Sequence, residues 1–180
     1  MSNFITNLLL IKDQNITIED KLDLINVDGQ DTFIFYGTLS YEPKCCANCG
    51  CIKEGNNIVK NGFGDPLKVA LLKMSECPTY LRLKKQRFKC RECNSKFCAE
   101  TSFVQKHCSI SKNLIFHIMK NLSKTLSFKD IAELSNVSVS TVVRVMKLCR
   151  EAVEVKTHSS LPEHLCFDEI KSTKDSKNGM

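Results

Sequence analysis

The sequence lacks a basic leader, a long apolar run and any low-complexity tract. Near the start, the apolar run from Leu8 to Ile11 is far shorter than the hydrophobic region of a signal peptide. No stretch approaches the roughly 20 apolar residues that a membrane-spanning helix requires. Tryptophan is absent too, whereas the apolar content of 42% and the charged content of 26% are ordinary for a globular chain. We therefore expect a cytoplasmic protein with reduced thiols and no membrane partner.

Cysteine is the residue type that stands out, with eleven in 180 residues. In a reducing compartment, frequent cysteine indicates a metal site, and an odd number fits a pure disulfide framework poorly. Two pairs share the C-x2-C spacing, Cys46 with Cys49 and Cys90 with Cys93. Each such turn directs two sulfurs at one point, so two turns complete a tetrahedral shell with Zn–S distances near ~2.3 Å. The alternative is four packing thiols that share this spacing by coincidence.

This quartet predicts a closed zinc site, which is structural because it leaves no open position for a substrate. Gly50 and Asn94 follow the two pairs, and both residue types tolerate the left-handed backbone conformation of a tight turn. Cys45 and Cys51 adjoin the first pair, so substitution of either as a ligand stays open. The other cysteines stand alone and are expected to pack as small apolar residues: Cys77, Cys98, Cys108, Cys149 and Cys166.

The net charge of +6 is unevenly distributed. Residues 1 to 42 hold seven acidic side chains against two lysines, whereas residues 81 to 124 hold eleven basic side chains against two acidic ones. A basic block of this kind is typical of a protein with a polyanionic partner, although a solvated lysine-rich face is the alternative. The residues predicted to contact phosphates are Arg82, Lys84, Lys85, Arg87, Lys89 and Arg91.

The pattern along the chain predicts an α+β fold. Residues 1–43 form an acidic lead-in with a strand at 31–39, and residues 44–100 form a small zinc-binding β domain with strands at 68–74 and 79–90. Residues 109–157 are predicted to be helical, beginning with a helix at 111–124. A short remainder, 158–180, starts with a strand-like segment.

The stretch "SKTLSFKDIAELSNVSVSTVVRVMKLC" predicts a helix-turn-helix. Ser127 and Asp130 have the spacing of a capping box, Asn136 suits positive φ in the turn, and Ser138 caps the second helix. The close crossing of the helices needs the small Ala132. The predicted apolar faces are Phe128, Ile131, Ala132 and Leu134, then Val139, Val142, Val145 and Met146, with Cys149 behind. An ordinary helical hairpin is the alternative.

A helix-turn-helix lays its second helix in the major groove of DNA, with its N-terminal residues toward the base edges. Arg144 is the best candidate for contacting guanine, or otherwise for holding a phosphate. The side chains expected at this surface are Ser138, Ser140, Thr141 and Arg144.

Four segments, taken in order, resemble the N-terminal part of an ISL-three family insertion-sequence transposase: "GTLSYEPKCCANCG", "RLKKQRFKCRECNSKFCAETSFV", "SFKDIAELSNVSVSTVVRV" and "LPEHLCFDEIKST". The resemblance places the family's zinc ligands on the four paired cysteines and the first acidic residue of its DDE triad on Asp168. It implies a zinc-binding β domain, a three-helix helix-turn-helix domain and, at 158–180, a truncated start of an RNase H-like domain. Magnesium is expected only in a full-length relative.

The resemblance implies a DNA-binding portion of a transposase, which recognises the terminal inverted repeats of its element in double-stranded DNA. Because two of the three catalytic carboxylates are missing, we expect this chain alone to be catalytically inactive. A zinc-containing helix-turn-helix transcription regulator is the main alternative, and a zinc-stabilised protein-interaction module is another. A homodimer is left open.

Overall fold

The computed structural model describes residues 2 to 152 and confirms the predicted α+β class. Asp168 and the predicted RNase H-like segment 158–180 lie outside the described residues. Within the described part, no helix is long and apolar enough to cross a membrane. The elements are α1 (Ser2–Leu8), β1 (Ile16–Val27), β2 (Gln30–Leu39), β3 (Ile58–Phe63), β4 (Leu67–Ala70), β5 (Thr79–Cys90), β6 (Lys96–Cys98), α2 (Lys112–Leu122), α3 (Phe128–Ser135) and α4 (Val139–Ala152).

Strand β5 is the central element of the sheet, and it spans the residues predicted for it. Its first part, through Lys85, pairs in parallel with β2 and antiparallel with β4. Its second part, from Gln86 to Cys90, pairs antiparallel with β3 and β6. One strand therefore joins the N-terminal hairpin to the cysteine-rich turns.

The buried apolar side chains of β5 face one core. Leu81 and Leu83 are buried in the first part, and Phe88 and Cys90 in the second, within the same cluster. Since the buried positions change from odd to even numbers along the strand, its alternation shifts near Lys85. The exposed Arg82, Lys84 and Arg87 point away from the core on either side of this shift.

The first 43 residues, predicted as a lead-in, contribute an antiparallel hairpin of β1 and β2 to this sheet. The strand predicted at 31–39 lies within β2, whose Phe35 and Leu39 are buried in the β5 core. Parallel pairing with β5 holds the hairpin in the sheet, from Phe33 beside Thr79 to Leu39 beside Lys85.

The strand predicted at 68–74 is shorter than expected. Strand β4 ends at Ala70, because the chain turns back toward β5 soon afterwards. Ser75 and Glu76 have positive φ in this turn, and Met74 and Cys77 bond to each other's backbone.

Helices α2, α3 and α4 surround a second apolar core that includes Leu114, Ile118, Ile131 and Val142. As predicted, Ser127 and Asp130 form a capping box, and Asn136 is left-handed with φ of 49°. The side chains of Phe128, Leu134 and Val139 are exposed, so the predicted apolar faces were wrong at these positions. Phe128 and Val139 open their helices at the surface, and Leu134 lies outside the buried stripe of the short α3.

Candidate metal centre and nucleic-acid interface

The fold brings the four paired cysteines together. The sulfurs of Cys46, Cys49, Cys90 and Cys93 all lie within 4.8 Å of one another. The Cys46 and Cys93 sulfurs are 3.7 Å apart, and those of Cys49 and Cys90 are 3.9 Å apart. A tetrahedral zinc ion with Zn–S bonds near ~2.3 Å separates its sulfurs by about 3.8 Å. The four sulfurs therefore have the spacing of a zinc-thiolate shell.

Both C-x2-C turns have the left-handed residue that the sequence predicted. Gly50 has φ of 72° and Asn94 has φ of 57°. The Gly50 backbone N–H donates to the carbonyl of Cys46 at 3.0 Å, and the Cys90 N–H donates to the carbonyl of Ser95 at 2.9 Å. These bonds close each turn and direct its two sulfurs at one point.

Two of the thiols are stabilised in their charged form by neighbouring donors. The Ser95 hydroxyl, 3.0 Å from the Cys93 sulfur, lowers the pKa of Cys93 to about 5. Backbone N–H groups of Cys49 and Asn48, and then the Ser95 hydroxyl, lower the pKa of Cys46. Ser95 thus serves both C-x2-C turns, in the way that outer hydrogen bonds orient metal ligands.

The other two thiols retain their protons more strongly. The backbone N–H of Cys93 lowers the pKa of Cys90. Burial and the nearby Cys51 thiol raise it, and their combined effect is larger, so the pKa of Cys90 is raised overall. The backbone N–H of Cys51 lowers the pKa of Cys49, but neighbouring thiols, with Cys93 first, raise it overall. A bound cation is what would allow all four thiols to ionise, with release of protons on binding.

The neighbouring cysteines that the sequence left open occupy different places. The Cys51 sulfur lies 3.5 Å from that of Cys90, and its side chain packs against the sheet core. Cys45 is exposed, and its backbone bridges to Ile52. Cys51 is therefore a fifth sulfur beside the cluster, whereas Cys45 lies at the surface.

The predicted phosphate-contacting residues lie on β5 and the turn after it. Arg82, Lys84, Arg87 and Arg91 are exposed, and Lys85 and Lys89 are partly buried. In the part of the chain that the structure describes, no ion pair involves these six residues. Arg82 does lie close enough to Asp23 to interact with it electrostatically. The other five charges are available to an external anion.

The predicted base-contacting residues lie at the start of α4 but differ in accessibility. The Ser138 hydroxyl caps the helix by accepting from the backbone N–H of Thr141 at 3.3 Å, as predicted. It also lies 2.8 Å from the hydroxyl of Ser140 and 3.0 Å from that of Thr141. Arg144 and Ser140 are exposed, whereas Thr141 is partly buried. Arg144 is thus the most accessible long side chain of the predicted set.

Sequence reasoning missed three side chains that organise these sites. Ser95 could have been found, since it directly follows the left-handed Asn94. Tyr80 and Lys73 contact Asn136 and Glu133, more than fifty residues away in the chain. No local pattern predicts such contacts.

A four-cysteine cluster on a sheet and a helical unit with a capped second helix define a zinc-ribbon protein with a helix-turn-helix. Two family models match the chain in these places. The zinc-finger of transposase IS204/IS1001/IS1096/IS1165 matches residues 42–93, and the helix-turn-helix domain of transposase family ISL3 matches residues 99–149. Together these matches identify residues 42–149 as the N-terminal region of an ISL3-family transposase, as the resemblance predicted. No curated protein and no solved structure matches it.

Proposed function

We propose that this chain binds the terminal inverted repeats of an insertion sequence as the DNA-binding portion of its transposase. The two matched families are transposase domains of the kinds that bind DNA and zinc. The observation that carries the proposal is the orientation of β5. Because Leu81, Leu83 and Phe88 face the core, Arg82, Lys84 and Arg87 are exposed to solvent on one strand.

The metal in this proposal is structural zinc held by Cys46, Cys49, Cys90 and Cys93. When bound, zinc supplies a rigid cross-link that offsets part of the thiolate charge and leaves no open coordination position. Cys90 is the last residue of β5, so the cross-link fixes the end of the cationic strand. Cys51 is a neighbouring thiol in this scheme and not a fifth ligand.

DNA contact is divided between the sheet, through β5, and the helical unit of α2 to α4. The six basic residues of β5 and its following turn neutralise phosphates, which gives affinity without sequence preference. Helices α2 to α4 act as a three-helix helix-turn-helix, and α4 enters the major groove. Arg144 and Ser140 reach base edges there, while Ser138 and Thr141 fix the start of the helix.

The proposal assigns binding, not strand cleavage, to residues 44–152. Cleavage by two-metal chemistry needs several carboxylates around ions about 4 Å apart. The role of Asp168 as such a carboxylate stays a prediction from the family resemblance, because that residue lies outside the described part.

Fluorescence anisotropy with a duplex of the element's terminal repeat and a scrambled duplex tests this function. We expect preference for the repeat, and a linear fall of log affinity with log salt concentration. Arg82→Ala and Arg87→Ala should each lower the salt slope by about 0.9 on both duplexes. Arg144→Ala should cost about 1–3 kcal/mol on the repeat and reduce the preference.

Lys12→Ala is the matched control, since this exposed lysine lies in the acidic N-terminal part and outside the set of predicted contact residues. Its slope and preference should equal those of the unaltered chain. Binding that ignores salt, or equal affinity for both duplexes, would contradict the proposal. A preference for a promoter duplex over the terminal repeat would support the transcription regulator instead.

A further inference from the structure

The helical unit is attached to the sheet at β4. The Ala70 backbone N–H donates to the carbonyl of Ser109 at 2.8 Å, and the Ser111 N–H donates to the carbonyl of Ala70 at 3.0 Å. Ala70 and Leu72 also pack against the apolar core of the helices. The segment that leads into α2 is therefore hydrogen-bonded to β4. The side chains of Ala70 and Leu72 in turn extend the apolar core of the helices.

Two polar side chains from the same region reach the helix-turn-helix turn. The Asn136 amide donates to the hydroxyl oxygen of Tyr80 at 3.0 Å. The Lys73 ammonium donates to the carbonyl of Glu133 at 2.8 Å, at the C-terminal end of α3, where the helix dipole favours a cation. The Lys68 ammonium lies 3.9 Å from the centre of the Tyr80 ring. Lys68 therefore contacts the ring of Tyr80, and Asn136 contacts its hydroxyl.

These contacts place the turn on the cationic side of β5. Residues two apart in a strand share a face, so Tyr80, Arg82 and Lys84 point the same way. Since the Tyr80 hydroxyl contacts Asn136, the turn lies over the face that carries those two cations. Asn136 is the C-cap of α3, three residues before α4 begins. The start of α4 is consequently fixed close to this face.

We propose that Tyr80 and Lys73 are positioning residues, which hold the helix-turn-helix against β5 so that both contact one duplex as a single rigid surface. This inference rests on the proposed DNA-binding function. Neither residue needs to touch DNA. Each acts next to the turn, Tyr80 on Asn136, which caps the end of α3, and Lys73 on the Glu133 carbonyl in the last turn of that helix.

The first test uses the free protein and the double variant Tyr80→Phe, Lys73→Met. Residual dipolar couplings of backbone amides report the orientation of α4 relative to β5. In the unaltered chain, one alignment tensor should fit both elements. In the double variant, the helical amides should fit a tensor of reduced magnitude, because the helical unit moves against the sheet.

The second test measures binding of the double variant to the terminal-repeat duplex. Loss of two hydrogen bonds that orient α4 should weaken binding about tenfold. The salt slope should stay unchanged, because a positioning lysine neutralises no phosphate. Tyr41→Phe, which removes a hydroxyl that accepts from the backbone N–H of Glu100, and Lys12→Met are the matched controls.

Asn136→Gly is the independent variant. Glycine keeps the left-handed backbone and removes only the amide that meets Tyr80. It should reproduce the reduced tensor and part of the affinity loss, and it carries the test if the double variant fails to fold.

Unaltered couplings and unaltered affinity in these variants would overturn the inference. A salt slope lowered by about 0.9 would show that Lys73 contacts phosphate directly, and this too would overturn its positioning role. If the unaltered chain bound neither duplex, the proposed function would fail, and the dipolar couplings would still decide whether the turn is held.

Discussion

The sheet half and the helical half of this protein are stabilised in opposite ways. The sheet depends on contacts between distant segments, such as β2 beside β5 and the sulfur of Cys46 beside that of Cys93. The helices depend on nearer contacts, such as the capping box of Ser127 and Asp130 and the packing of α2 to α4. Distant contacts carry a larger loop-closure cost, which a metal cross-link offsets. We therefore expect zinc to stabilise the sheet half far more than the helical half.

Cys90→Ser should produce the largest difference in stability between the sheet half and the helical half. Loss of a buried ligand should remove zinc, whose binding contributes on the order of 10 kcal/mol to folding in comparable sites. We expect the amide signals of β3, β5 and β6 to collapse to unfolded positions, while the helical signals persist. Zinc content and a ¹H–¹⁵N correlation spectrum measure this.

Cys98→Ser is the control for that experiment, since Cys98 is exposed and lies outside the four-sulfur cluster. It should keep both the zinc and the spectrum. Equal loss of helical and sheet signals in Cys90→Ser would show that the two halves unfold together, and the contrast between them would be lost.

Ile118→Ala should destabilise the helical half and leave the zinc site intact. Ile118 is fully buried in the helical core, and truncation of such a side chain costs about 2–5 kcal/mol. Urea denaturation followed by helical circular dichroism should show this loss, with zinc content unchanged. Met119→Ala, at the neighbouring exposed position, should cost much less. Release of zinc from Ile118→Ala would contradict independent stabilisation.

Asp130→Asn should produce the smallest effect, and one that depends on pH. Bonds from the Ser127 hydroxyl, and then from its backbone N–H, lower the pKa of Asp130. A lowered pKa stabilises the fold above the ordinary carboxyl value near ~3.9, and this contribution is lost as the pH falls through the folded-state value. The hydrogen-exchange rates of α3 amides should therefore differ between Asp130→Asn and the unaltered chain near neutral pH, and they should become equal in acid.

Asp65→Asn, in a loop of the sheet half, is the matched control and should leave α3 exchange unaltered at every pH. A constant difference between Asp130→Asn and the unaltered chain down to the most acidic pH would show that the capping charge is not involved.

The features that could be predicted from sequence are those with a local cause. The strand predicted at 79–90 has the bounds observed for β5, and the turns at Gly50 and Asn94 followed from their position after paired cysteines. The capping box followed from the spacing of Ser127 and Asp130. In each case the interacting groups lie within a few residues, so their pattern is visible in a short window.

The features that were missed depend on contacts between remote segments. The pattern of β1 does not reveal a strand, because most of it is exposed on both faces. The parallel register of β2 on β5 and the contact of Tyr80 with Asn136 join segments more than forty residues apart. Cys51 was recognised as a neighbour of the metal site, but its approach to Cys90 depends on the folded turn.

The most direct measurement of the central claim is native mass spectrometry of the purified chain with the terminal-repeat duplex, before and after treatment with a strong chelator. We expect one zinc ion per chain, and a chain–duplex complex that disappears with the metal and returns when zinc is added. A chain that carries no zinc, or that keeps its fold and its duplex after chelation, would contradict it.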